Sequence, residues 1–264
     1  MTAVPSTVTA MTTEAAAPTL KTDCLLCPVR SCLVHRDGGE QAQAWSDMLA
    51  PRQALMPGDG ALQRAGDRLE ALYSVRGGCV KTYTVDAAGH ERIRGFYFPG
   101  DLIGLDAIGG GICLSTAVAV VPSQVCVAPL AELQGLMGRM PLVAMRVMEQ
   151  TSRELAMSLA IAGDYTAEQR LAAFLLQLRD RIGLGLSGCL RLPMAQRDVG
   201  NYLRLANETV CRSLKRFEQK GWLQATERGL KLLDEAALRA AAAPVGLDVP
   251  ATSRTIQGTI RRAA

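Results

Sequence analysis

The segment "CLLCPVRSC", residues 24–32, places Cys24, Cys27 and Cys32 close together in the chain. Sulfurs this near one another can converge on a single metal centre, because thiolates bind both zinc and iron–sulfur clusters well. Three thiolates leave one coordination position open. His35 follows Cys32 with two residues between them, so Cys24, Cys27, Cys32 and His35 can close a local Cys3His zinc site. Alternatively, a distant cysteine completes a four-sulfur set, the complement of a [4Fe–4S] cluster. Ligand types alone do not choose between these metals. Free thiols in an exposed leader are a third reading, disfavoured because exposed cysteines oxidise easily.

A second constellation suits nucleic acid. In "QRDVGNYLRLANETVCRSLKRFEQKGWL" a short helix over 196–203 presents Val199 and Leu203 inward, with Gly200 permitting close approach of its partner. A turn around Arg204–Ala206 leads to an amphipathic helix over 207–220, with Val210, Leu214 and Phe217 inward. Asn207, Glu208, Thr209, Cys211, Arg212, Lys215 and Arg216 are left as the DNA-facing set. The N-terminal part of such a second helix enters the major groove. Arg212 can contact guanine O6 and N7 bidentately, and Glu208 can accept from a cytosine N4. Lys215, Arg216 and Arg197 suit phosphate, which holds register without reading bases. Ordinary solvated charges on an amphipathic helix are the plainer alternative.

The elements that must carry these residues differ in style along the chain. Residues 1–22 are Thr-, Ala- and Pro-rich without periodicity and read as a disordered tail, and 241–264 read as a flexible one. Between about 50 and 135, short apolar runs are cut by Gly, Pro and Asp. "CVKTYTV" and "RIRGFYF", split by "DAAGH", read as a hairpin within an antiparallel barrel or roll. After Pro141 a long helix begins. Its Met145, Met148, Ser152, Leu155, Leu159 and Ala162 fall at spacings of 3, 4, 3, 4 and 3, a narrow seam of the width that pairs a helix with its twin. Packing against its own barrel is the competing reading. Helical segments over 168–182, 196–203 and 207–220 follow, then "WLQATERGLKLLD", a two-stranded wing expected to turn at Gly229.

Composition excludes some classes. The chain has 264 residues, 48% hydrophobic and 20% charged, enough for two domains. It carries no apolar run of membrane-spanning length and no signal-peptide pattern, so a cytoplasmic protein is expected. Net charge is only +4, so charge placement matters more than its sum. Two histidines, His35 and His90, with no nucleophile–base pairing and no phosphate-cradling loop, argue against an enzyme. Cys113 and Cys189 read as small buried hydrophobes.

The order of barrel, dimer helix and winged helix-turn-helix resembles the cyclic-AMP receptor protein superfamily. "GFYFPGDLIGLDAIGGG", "AEQRLAAFLLQL", "RDVGNYL" and "NETVCRSLKRF" are similar to its oxygen-responsive branch, the fumarate–nitrate reduction regulator family. The resemblance runs over about 24–235. It implies an α+β chain: a cluster loop and antiparallel β-roll sensor over 23–138, a dimerisation helix over 139–166, and a winged helix-turn-helix over 167–240. It further implies Cys126 in "SQVCVAPL" as the fourth ligand beside Cys24, Cys27 and Cys32, with a [4Fe–4S] cluster as cofactor and zinc as the alternative. The implied protein is a homodimeric activator on palindromic double-stranded DNA that responds to oxygen. It would touch RNA polymerase through barrel loops such as "DAAGHER" and the region near Gly77.

Departures from the family pattern matter. One residue is missing between the second and third cysteines, Cys211 stands where Ser is usual, Asn207 where Val is usual, and Arg204 replaces a turn Gly. Cys211 and Asn207 are base-facing in the family pattern, so a half-site different from the family's TTGAT-like sequence is an expectation. Cyclic-nucleotide-binding relatives need an acidic residue and an arginine in the segment matching "LIGLDAIGGGICLSTAVAV". Here Leu105 and Leu114 occupy those places and no basic residue is present, so no cyclic nucleotide is expected.

Overall fold

The computed structural model describes residues 52–139 and 141–245. Cys24, Cys27, Cys32 and His35, together with both tails beyond those limits, lie outside the described residues. Five strands form an antiparallel roll: β1 (Arg52–Leu55), β2 (Ala71–Val85), β3 (Glu91–Tyr97), β4 (Leu102–Ile103) and β5 (Thr116–Pro129). The order is β1-β5-β2-β3, with β4 also pairing β2. The expected hairpin is β2–β3, with Val80 opposite Tyr97 and Val85 opposite Glu91. Its turn is tied by the Asp86 carboxylate, which accepts from the backbone N–H groups of Ala88 and His90. Strand β2 extends well beyond the alternating run, because its first half pairs with β5 and β4.

Helix α1 (Leu130–Arg139) closes the roll and α2 (Pro141–Ala162) leaves it. The long helix is thus shorter than the 139–166 expected. Residues beyond Ala162 turn and then cap the next helix, where the Thr166 hydroxyl accepts from Gln169 N and the Gln169 side chain accepts from Thr166 N. From there run α3 (Ala167–Ile182), α4 (Gln196–Leu203), α5 (Asn207–Gln219), strands β6 (Leu223–Thr226) and β7 (Gly229–Leu232), and α6 (Glu235–Ala242).

Two expectations are corrected here. The wing turns at Glu227–Arg228, not at Gly229, which opens β7. Gly229 is needed for a different reason: its φ is +125°, and a Cβ would lie 2.4 Å from the Leu190 carbonyl that bridges to Leu230. The chain is also not a tail from 241 onward. The Asp234 carboxylate caps α6 by accepting from Ala237 N at 2.8 Å, and Ala242 and Val245 are buried in the core. An Ala-rich run reads as low complexity until a neighbour covers it, and here α3 supplies the cover.

One apolar core joins the roll to the helical half. Phe96 and Phe98 of the roll lie with Phe174, Tyr202, Leu203, Val210 and Phe217. Phe96, Phe174 and Tyr202 form a trio of rings with centroids 5.3–6.4 Å apart, edge-on between Phe96 and Tyr202 and tilted in the other two pairs. A second core, containing Leu72, Leu102, Leu133 and Val147, lies under α1 and α2.

Candidate functional site

The turn into α5 packs closely on α4 because Gly200 has no side chain: a Cβ there would sit 2.9 Å from the Leu205 carbonyl and 3.5 Å from the Val210 side chain. Val199, Leu203, Val210, Leu214 and Phe217 are all buried, as the periodicity predicts. Asn207, Glu208, Arg212, Lys215 and Arg216 are exposed, while Thr209 and Cys211 are half-buried. The Cys211 thiol faces back to α4, with Sγ 3.3 Å from Gln196 Oε1. Arg197 is exposed at the start of α4.

Arg216 does not stand free toward solvent. Its guanidinium donates to Glu168 at 2.9 Å, and Lys220 reaches the other oxygen of the same carboxylate. These two cations hold the Glu168 carboxyl below the usual range. Glu168 is a site-supporting residue that sequence reasoning missed, since it lies 48 residues before Arg216 on α3. Asn201 was missed as well. Its side chain accepts from Ile93 N and donates to Glu91 O, both at 2.8 Å, and so satisfies the free edge of β3. Lys81 supports the same contact through Asp198 and Glu91.

Arg204, at the turn between the helices, is the one non-glycine residue with positive φ among those described, at 56°. A left-handed L-residue costs on the order of 1 kcal/mol. Arg204→Gly is expected to stabilise the chain by about 1 kcal/mol, read as a higher urea midpoint at unchanged slope.

The sensor side contributes Cys126 on β5. In register it faces Arg52 of β1 on one side and Ser74 of β2 on the other, and it packs against the Leu102–Val147 core. Cys113 and Cys189 are buried, as expected; Cys79, given no role from sequence, is also fully buried, and burial pushes its thiol far above the ordinary range. Leu105 is buried and Leu114 is exposed in the loop between β4 and β5. Among the described residues no three metal-ligating side chains converge, and no helix is long and apolar enough to cross a membrane.

Residues 169–241 match the Crp-like helix-turn-helix domain, and residues 56–140 match the cyclic nucleotide-binding domain. An antiparallel roll followed by an exposed recognition-type helix with a wing defines a DNA-binding transcription regulator. The chain is 37% identical over 201 residues to the fumarate and nitrate reduction regulatory protein of Salmonella typhimurium, covering 74% of this chain and 80% of that one. It is 39% identical over 182 residues to the Escherichia coli protein of that name, covering 67% and 73%. Among solved structures it is similar to FixK2 from Bradyrhizobium japonicum, with a TM-score of 0.64 and 29% identity, over 72% of this chain and 96% of that one. The chain belongs to the fumarate and nitrate reduction regulatory protein family.

Proposed function

We propose that this chain is a homodimeric, sequence-specific regulator of transcription that responds to oxygen through a [4Fe–4S] cluster held by Cys24, Cys27, Cys32 and Cys126. The observation that carries the reading is the position of Cys126. It lies beside Arg52, the first described residue, and twenty chain positions separate Arg52 from Cys32. Twenty residues span up to about 65 Å when extended, so the N-terminal sulfurs can reach Cys126 without distortion. The donor set of one partly exposed strand thiol and three clustered thiols fits a four-sulfur centre. Bound there, the cluster supplies an oxygen-labile tie between the leader and β5.

The chain's own residues supply the output. Met145, Met148, Ser152, Leu155, Leu159 and Ala162 all face solvent along α2, while Val147, Ala160 and Ile161 turn inward. A seam that its own barrel leaves uncovered suits pairing with a second copy, so that two α5 helices reach successive major grooves of a palindrome. Arg212 and Glu208 read bases, with Asn207, Thr209 and Cys211 beside them. Lys215 and Arg197 hold phosphate, and Arg216 does so only when released from Glu168. Leu105 and Leu114, with no cation nearby in sequence, support a roll that holds no cyclic nucleotide. RNA polymerase is the partner assigned to the 86–92 turn.

The test is an absorbance spectrum with iron, sulfide and zinc analysis on protein purified without oxygen. About four irons per chain and broad absorbance near 400 nm, bleached by air, is the expected result. A colourless protein with about one zinc per chain overturns it in favour of the Cys3His site.

A further inference from the structure

The turn joining β3 to β4 is gripped from two sides. Its own shape is set locally: the Asp101 carboxylate accepts from Phe98 N at 2.6 Å, while Val75 N donates to Asp101 O and Gly100 N donates to Val75 O, both at 2.9 Å. From α2, the buried Gln150 side chain accepts from Leu102 N at 2.8 Å and donates to Leu102 O at 2.7 Å. One amide thus satisfies both backbone groups of one residue, as a neighbouring strand would. From α3, Arg181 pairs with the Asp101 carboxylate and lays its guanidinium 4.7 Å from the centre of the Phe98 ring.

These two grips fall on adjacent residues, and they come from the two helices on which DNA binding depends. Helix α2 carries the seam toward the second copy, and α3 begins the helix-turn-helix unit. We infer that the 98–102 turn is a shared anchor that fixes the angle between α2 and the DNA-binding unit, making Gln150 and Arg181 positioning residues for DNA recognition. The inference rests on the DNA-binding dimer reading above. Two recognition helices must present at one spacing, about 34 Å, so a small rotation of α3 against α2 misplaces both.

The anchor also connects to the proposed ligand strand. Leu102 pairs with Ser74, and Ser74 pairs with Cys126 on its other side. Antiparallel partners share a face, so Cys126 and Leu102 lie on one side of the sheet, the side packed against Val147 of α2. A row of three strands therefore leads from Cys126 to the backbone groups that Gln150 holds.

The experiment uses the full chain and a duplex carrying an inverted repeat that the unaltered protein selects from random sequence. Affinity is measured against salt concentration for Asp101→Asn, Arg181→Gln, Gln150→Leu, the Asp101→Asn/Arg181→Gln pair and the Arg181→Gln/Gln150→Leu pair. Each single change is expected to weaken binding at least tenfold with an unaltered salt slope, and each pair to be no weaker than its worse member. Arg181→Lys keeps the charge and is expected to recover most of the loss, which separates positioning from misfolding. Additive effects in the pairs, or affinity unchanged in the single variants, overturn the anchor. A salt slope reduced by about one in Arg181→Gln does so too, because it marks a direct phosphate contact. Failure of the unaltered protein to select any sequence rejects the DNA-binding reading itself and is seen before any variant is made.

Discussion

Leu155→Asp is expected to convert the protein from dimer to monomer at micromolar concentration. Leu155 lies near the centre of the exposed row on α2 and is 59% exposed in the single chain. If the row closes against its copy, each leucine buries a side chain worth about 2 kcal/mol, and the change removes two per dimer. Two facing carboxylates would also lose water. A loss of roughly 4 kcal/mol or more weakens association by about three orders of magnitude. Specific DNA affinity falls with it, because one recognition helix supplies half the contacts. Sedimentation velocity, with and without iron loading, reads the outcome. A persistent dimer with normal affinity removes the seam assignment.

Glu154→Gln is expected to abolish most of the pH dependence of stability between about pH 5 and 8. Burial on the inner side of α2 pushes the Glu154 carboxyl up to about 7. Asp101 and Asp106 raise it further, while the hydrogen bond from Gln150 and the charge on Arg181 oppose them. Tyr97 faces the same group and is raised in turn, mainly by its own burial. The folded chain therefore holds this proton more tightly than the unfolded chain does. Stability contributed by the protonated form is present at low pH and is lost as pH rises from about 4.5 toward about 7. The shift corresponds to something on the order of 3 kcal/mol across that window. Urea midpoints at fixed protein concentration, compared at pH 5.5 and 8 for both proteins, check it. Equal slopes in the two proteins mean that Glu154 is not the group responsible. Such a carboxyl, one turn from the Gln150 grip, makes the seat of α2 sensitive to near-neutral pH.

Periodicity made the DNA-binding half readable. The apolar positions of α4 and α5 repeat at helical spacing, and a glycine at 200 announces close approach, so buried and exposed faces follow from local rules. The apolar row from Met145 to Leu159 on α2, which the structure leaves exposed, was legible for the same reason. Helix α6 was not, because an Ala-rich run has high helix propensity but no apolar stripe, and its burial depends on α3. The turn at Gly229 was misplaced because glycine signals either a turn or a close contact, and the contact partner, Leu190, is far away in the chain. The half-buried state of Cys211 and the capture of Arg216 by Glu168 were equally hidden. Both depend on which side chain of another helix arrives opposite.

By itself the sequence determined the fold class, the order of the parts, the inner and outer faces of α4 and α5, and the clustering of Cys24, Cys27 and Cys32. These are properties of spacing and composition within short windows, and local sterics and burial periodicity are enough to set them. Only the tertiary structure decided that Cys126, Ser74 and Leu102 share one row, that Gln150 and Arg181 meet on one turn, and that Asn201 closes the edge of β3. Each of these pairings joins residues from different elements, most of them many positions apart. Register and packing between elements bring them together, and neither leaves a periodic trace in the chain.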